Sequence, residues 1–508
     1  MFLDLIAGGA RNCWLKNLAL WPCWYSNSNS TALFNKEYRG VEGMGAEIIS
    51  KSGQSGELPK KWQTKPHGVA VGRYTDPEFQ KLEHEKLWSK VWQVACRVDA
   101  VPQPNDYTVY DIGDRSAVIV RVDENTIKAH HNFCPHRGTT LAEGQGTFPS
   151  GNIICPFHGW RWNTSGENEY VLERQEFKKG KLEDCDVALK EIHCVEYQGM
   201  VFISFAETPE SFEDFIEPAR EVMEMMVVGE MRNYWWKKID ISANWKVAQE
   251  AFFEGYHVPA THPQLEPAAA DYLYGESIEG DFDFSHANVA YDAFENGHGR
   301  FYAGKPSVMQ GNVRQKVSDD PIETMAARLQ LLVDGMDAQV LQPDIELVRS
   351  LKSKGIPEGS TVGAEYAKAQ YADAAAKNRP MPAATPEAIA MWGGELVLFP
   401  NIMLLFHAGN MMMYRAMPVG NDPNRCTFEI MSTRTLPDYA PRTRAEVIPV
   451  TDMFDPEQVY EIPQQDLGNI PRMQRGMRTG AMKQNWLASY HEKLILNMHQ
   501  ELDQYLVD

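Results

Sequence analysis

Between residues 76 and 92, Phe79, Leu82, Leu87 and Trp92 stand among charged positions at three- to five-residue intervals, the pattern of an amphipathic helix with one buried face. From 92 to about 205 the pattern turns to short extended runs bounded by polar residues, as at 107–112, 117–122 and 200–205, which predicts a strand-rich unit. A Pro-containing linker at 208–217 follows. Beyond it, Trp245, Ala248, Phe252 and Tyr256 recur at helical spacing, and Pro259 is expected to end that helix at about Val258. Residues 319–351 read as largely helical. The Gly-, Pro- and Ala-rich stretch 354–385 reads as loops, either a cover over a pocket or a contact within a trimer. Residues 397–406, 411–418 and 426–435 read as consecutive strands. At 485–506, Trp486, Tyr490, Leu494, Met498, Leu502 and Tyr505 keep helical spacing and predict a closing helix.

A chain of 508 residues has room for two or three domains with ample core, and 43% hydrophobic residues with 13 Trp supply the packing. No apolar run reaches the ~20 residues that a membrane span needs, so a soluble chain without a membrane span is expected. The net charge of −20 argues against nucleic acid as a partner and leaves a basic protein partner open. Residues 1–43 lack the basic start and continuous apolar core of a secretory signal. They are expected to be a disordered or spurious extension, with Met44 as the start; an amphipathic membrane tether is the alternative. Cys13, Cys23, Cys96, Cys185, Cys194 and Cys426 are scattered without a disulfide framework, as in a reducing cytoplasm.

Two short segments carry the first candidate chemistry. Asn132-Phe-Cys-Pro-His-Arg-Gly138 contains Cys134 and His136, and Cys155-Pro-Phe-His-Gly-Trp160 contains Cys155 and His158. Two thiolates and two imidazoles are the ligand set of a Rieske 2Fe-2S centre, in which the cysteines hold one iron and the histidines the other. The same four ligand types also satisfy tetrahedral zinc, although zinc modules usually pair Cys with Cys and His with His. His130 and His131 lie just upstream, in positions that suit packing better than tuning of the cluster. Farther on, His257 and His262 stand five residues apart with Glu254 one turn before the first. Two histidines and a carboxylate with open positions form the facial triad of non-heme Fe(II) oxygenases. Two surface histidines near a helix C-terminus are the simpler alternative. His407 and the Met411–Met413 run read as core or pocket wall, and Phe252, Phe253 and Leu405 as further candidate walls.

These motifs, together with Asn244-Trp-Lys at the head of the histidine-bearing segment, resemble the Rieske non-heme iron oxygenases, specifically their terminal oxygenase alpha subunits, from about Asp76 to the C-terminus. The resemblance implies an α+β chain with an N-terminal Rieske 2Fe-2S β-domain and a C-terminal helix-grip catalytic domain, an antiparallel sheet wrapped around a long C-terminal helix. The corresponding boundaries are 44–91 for an N-terminal segment and helix, 92–207 for the Rieske domain and 218–508 for the catalytic domain. It further implies that His257 and His262 hold a mononuclear Fe(II), and that the late segment Glu461-Ile-Pro-Gln-Gln-Asp-Leu-Gly-Asn-Ile-Pro-Arg-Met-Gln-Arg-Gly476 supplies the third ligand. Asp466 is the candidate there, with Asp452, Asp455, Glu457 and Glu461 as local competitors. Glu254 stands where many relatives carry Asp, and the implied role is to bridge electrons from His158 of one protomer to His257 of the next. Ala251, where many relatives have Asn, departs from the pattern and bears on substrate, not on iron.

The implied activity is hydroxylation of an aromatic or other apolar ring compound with O2, by dihydroxylation, monohydroxylation or oxidative demethylation. Electrons would come from NAD(P)H through a ferredoxin, a flavin reductase or both. A homotrimer, with or without beta subunits, and a cytoplasmic location go with it. Three alternatives stay open at this point: a Rieske monooxygenase of small quaternary ammonium compounds, a zinc-dependent hydrolase, and a plain electron carrier that would have no use for the second domain.

Overall fold

The computed structural model describes residues 58–265, 289–303, 318–383, 394–437 and 439–507. The extension expected at 1–43 lies outside the described residues, as do the last positions of the stretch 354–385.

The N-terminal half is built on a seven-stranded antiparallel sheet. Its strands run in the order Gln93–Arg97, Met200–Ser204, Glu191–Tyr197, Ile127–His131, Arg115–Arg121, Asp106–Ile112 and Gln145–Thr147. Along Asp106–Ile112 alternate residues are buried, the period-2 signature of a strand with one face on a core. A second sheet of three short strands, Asn152–Ile154, Arg161–Asn163 and Asn168–Tyr170, packs beside it. Trp160, Trp162, Phe148 and Leu141 share a small core with Cys134 and Cys155.

The C-terminal half contains an eight-stranded sheet in the order Val289–Ala293, Gly299–Ala303, Glu395–Leu398, Ile402–His407, Asn410–Pro418, Cys426–Thr435, Met231–Ile241 and Val447–Val450. All pairs are antiparallel except the last, where Val447–Val450 runs parallel to Met231–Ile241. Against one face pack the short helix Trp245–Glu250 and the helix Glu461–Met477; the helix Lys493–Leu506 closes the domain with Leu494, Met498 and Leu502 buried. Arg415 and Glu429, both buried, pair at 2.5 Å, and Arg415 also donates to the carbonyls of Val94 and Ala95. That guanidinium ties the large sheet to the edge strand of the N-terminal sheet; removing one partner of such a pair costs about 3–5 kcal/mol.

Four predicted elements differ in extent. The first helix covers Pro77–Lys86, capped by Asp76, whose side chain accepts from the Glu78 N–H; Trp88, Val91 and Trp92 are buried beyond its end in turns. The stretch 397–406 is two strands separated by a turn at Phe399-Pro400-Asn401. The predicted loops at 354–385 hold the helix Val362–Ala376, where Thr361 caps the N-terminus and the alanines that suggested irregularity favour helix instead. The closing helix begins at Lys493, because Gln484–Trp486 is used as a strand against Gly68–Ala70.

The fifth difference shapes the site. The helix that begins at Trp245 stops at Glu250, and a second helix of one turn covers Val258–Thr261. Pro259 opens this second helix; it does not end the first, since a proline in the first turn sacrifices no hydrogen bond. His257 and His262 are consequently the residues flanking that single turn.

Candidate functional site

Two turns of matching construction bring the cysteine and histidine pairs together. In the first, the N–H of Gly138 donates to the carbonyl of Cys134 and the N–H of Cys134 to that of Thr139. In the second, Gly159 donates to Cys155, and Cys155 to Trp160. Gly138 and Gly159 have φ of +78° and +70°, and no heavy atom lies within 4 Å of a Cβ built on either. Left-handed backbone therefore asks for glycine at the fifth position of each turn, not lack of space. Both cysteines are buried. Burial and the adjacent Cys155 push the Cys134 thiol up to about 11. The Nδ1 atoms of His136 and His158 lie 3.2 Å apart, and the His136 ring stacks on Trp160 at 4.7 Å. Two sulfurs set inward and two imidazole Nδ1 atoms set toward the surface are a donor set that a 2Fe-2S cluster fits, with one iron on each side. His130 is buried and bonds the Thr164 carbonyl, and His131 packs against Phe133 and Phe205, so neither enters the group.

The second constellation lies between helices and sheet. His257, His262 and Asp466 present one ligand atom each within 4.8 Å of one another, the single such group among the described residues. Nε2 of His262 is 3.0 Å, and Nε2 of His257 is 3.5 Å, from Oδ1 of Asp466. The Nδ1 atoms face the opposite way: that of His257 meets Glu254 Oε1 at 2.9 Å, and that of His262 meets Gln465 Oε1 at 2.7 Å. Each outer acceptor can hold an N–H on Nδ1 and leaves Nε2 turned to Asp466, the orientation in which metal-ligating histidines are held. Asp466 and His262 are buried, His257 partly so. The donor chemistry fits an Fe(II) site with open positions. Asp452 and Asp455 engage Gln458 and their own loop and stand outside the group, as do Glu457 and Glu461.

The scaffold explains the Asn-Trp-Lys signature. Asn244 caps the helix by accepting from the Lys246 N–H, and its own N–H donates to Gln474 on the helix that carries Asp466. Lys246 and Trp245 both donate to Glu83 on the first helix, at 2.6 and 3.2 Å. One turn on, buried Glu250 accepts from Tyr74 and meets His499 of the closing helix, and burial pushes its carboxyl up to about 8.

Two residues that sequence reasoning passed over stand beside the triad. Gln465 was visible only as the neighbour of Asp466; its amide is held by a reciprocal pair with Gln264. Glu395 heads an apolar strand after Gly394, where a Cβ would meet the Phe301 carbonyl at 2.2 Å. Strand register puts Glu395 on the sheet face that also carries Tyr414 and Leu405. Phe252 stacks on Tyr414 at 4.0 Å and on Phe428 at 5.3 Å, forming an aromatic wall on that face. Phe253 is core, and His407 meets Tyr366 and Gln370 and is not one of the triad residues. Burial pushes the Glu395 carboxyl up to about 8, against the lowering effect of His257 and with Glu254 adding. For His257, burial acts downward, but the hydrogen bond to Glu254 and the charges of Glu254, Asp466 and Glu395 lift it to about 9. The site attracts cations.

Replacing Gln465 with Leu is expected to weaken iron binding at the triad by about 10–100-fold, the usual cost of losing an outer-shell partner, while the sulfide content is unchanged. A chelator competition on the variant measures it, and wild-type affinity would remove Gln465 from the site.

Among known proteins, the Rieske [2Fe-2S] domain family matches residues 91–185 and the Ring hydroxylating alpha subunit (catalytic domain) family matches residues 228–508. The anthranilate 1,2-dioxygenase large subunit of Acinetobacter baylyi is 29% identical over 265 residues, covering 47% of this chain and 54% of that one. The glycine betaine monooxygenase oxygenase subunit of Chromohalobacter salexigens is 27% identical over 209 residues, covering 41% and 45%. The chain thus spans about half the length of the curated relatives it matches. In fold, a quaternary ammonium Rieske monooxygenase in complex with L-carnitine superposes with a TM-score of 0.56 at 16% identity, over 89% of this chain and 100% of that one. A naphthalene 1,2-dioxygenase from Rhodococcus sp. gives 0.55 at 17%, over 86% and 94%. No helix among the described residues is long and apolar enough to cross a membrane. With a catalytic-domain match over more than half its length and a Rieske [2Fe-2S] domain ahead of it, the chain belongs to the family of ring-hydroxylating oxygenase alpha subunits.

Proposed function

We propose that this chain is a terminal oxygenase component that hydroxylates a small organic molecule, an aromatic or other apolar ring compound, using O2 and electrons delivered one at a time. The convergence of His257 Nε2, His262 Nε2 and Asp466 Oδ1, in a chain that also pairs His136 and His158 across two Cys-bearing turns, carries the reading. Cys134, Cys155, His136 and His158 would hold the 2Fe-2S cluster, and His257, His262 and Asp466 the iron. When bound, the cluster supplies single electrons and the mononuclear iron supplies the centre at which dioxygen is activated. The protein's own part is to orient the ligands through Glu254 and Gln465 and to offer an aromatic wall for the substrate.

Phe133 and Phe157, 40% and 55% exposed, flank the cluster histidines. An apolar rim there supports docking of that end on another molecule: a neighbouring protomer of a homotrimer, whose His257 would be reached through Glu254, or a ferredoxin or flavin reductase. Whether beta subunits join the assembly has no bearing on this geometry. Among the described residues Cys96, Cys185, Cys194 and Cys426 form no disulfide, which supports a cytoplasmic setting.

The test is to supply the iron-loaded protein with a reductase and reductant, present ring compounds under 18O2, and analyse products by mass spectrometry. Label in a hydroxylated product, dependent on electron supply, is expected. Hydrolysis products without label, formed equally without reductant, would instead establish the zinc hydrolase alternative.

A further inference from the structure

Glu395 has no place in the metal chemistry, and yet the fold goes to some length to put a carboxylate there. Its Oε2 is enclosed and has no hydrogen-bond partner among the described residues. It is not one of the three ligand-bearing residues, but it lies close enough to His257 and Glu254 for their charges to act on it. Enclosing a carboxyl oxygen without a partner is costly, and the group then either keeps a proton, as its raised pKa reflects, or is met by a cation.

The surroundings fit a particular cation. Phe301 is directly opposite Glu395 on one neighbouring strand and Leu405 is directly opposite on the other, so all three side chains share the face that carries Tyr414. Tyr291 stacks on Phe301 at 5.4 Å and extends the aromatic surface. Rings beside a carboxylate are the combination that holds an ammonium group with an apolar body. Glu254, Asp466 and Glu395 bring three carboxyl groups to one region, which disfavours an anionic ligand.

We propose that Glu395 determines specificity on this sheet face beside the triad, and that the substrate carries a cationic nitrogen, an ammonium group seated against the Glu395 carboxylate beside Phe301. The proposal rests on the oxygenase reading and narrows it from ring compounds in general to organic cations. A substrate held by its ammonium end would present its apolar part to the iron site, so that the position hydroxylated is fixed by its distance from the nitrogen.

The test uses benzylamine, protonated at neutral pH, and benzyl alcohol, its neutral analogue of nearly the same shape. Both are titrated by calorimetry into protein with measured iron and sulfide. We expect benzylammonium to bind at least about tenfold more tightly than the alcohol, Glu395→Gln to abolish that preference with metal content unchanged, and Glu395→Asp to restore part of it. Equal binding of the two probes, no binding of either, or a preference that survives in Glu395→Gln overturns the proposal. Should Glu395→Gln fail to fold, the comparison of probes on the wild-type protein decides alone. Failure of the oxygenase reading would show separately, as absence of iron and sulfide from the wild-type protein whatever the probes do.

Discussion

Asp466→Ala will purify with about two irons per chain where the wild type carries about three, with sulfide unchanged and substrate oxidation lost. The carboxylate is the one group that both histidine Nε2 atoms face, at 3.0 and 3.5 Å, and it is buried on a helix held to the histidine segment through Gln474. Its loss leaves two neutral imidazoles to hold a divalent ion. Since even an outer-shell partner is worth about 10–100-fold in affinity, loss of a ligand itself exceeds that range. Iron analysis and the EPR spectrum of the reduced variant measure the outcome. The cluster signal is expected to persist, because Cys134 and Cys155 lie in a separate small core and His136 and His158 face each other beside it. A variant that kept all its iron and its turnover would move the third ligand elsewhere.

Glu254→Ala should lower substrate oxidation by at least about 100-fold, the upper end for an outer-shell partner, with both centres occupied when iron is in excess. Glu254 is buried and binds His257 twice, accepting from its backbone N–H and from its Nδ1, each at 2.9 Å. Glu254→Gln separates the two duties of the residue. The amide oxygen still accepts from His257 Nδ1 and keeps the ring oriented, while the charge is gone. If orientation alone matters, Gln restores turnover; if a charged bridge to the cluster matters, iron returns to wild-type affinity and turnover stays low. The proposed bridging role predicts the second result, and wild-type rates in Glu254→Gln would contradict it.

What was legible in the sequence follows from how local each signal is. Cys134, His136, Cys155 and His158 sit in two short turns whose glycines and ligands are sequence neighbours, so the whole group could be read from 25 residues. His257 and His262 were legible as ligands, but not their setting. Pro259 has two meanings, end of one helix or start of another, and only packing of the segment between sheet and helix decides for the second. Asp466 needed family resemblance, because several acids nearby are equally good by type and only the fold selects the one that faces the histidines. Glu395 and Gln465 were out of reach for a related reason. Glu395 matters through strand register and Gln465 through a contact with a histidine 203 positions away, and neither leaves a local pattern. The helix Val362–Ala376 was missed because the glycines and prolines on either side of it were weighed above its alanines, which favour helix, and above the Thr361 cap.

The central claim, that two iron centres share this chain, meets its most direct test in iron and acid-labile sulfide analysis with an EPR spectrum of dithionite-reduced, anaerobically purified protein. About three irons and two sulfides per chain, with a Rieske-type signal of low average g, is the predicted result. Zinc in place of iron, with no such signal, would contradict it.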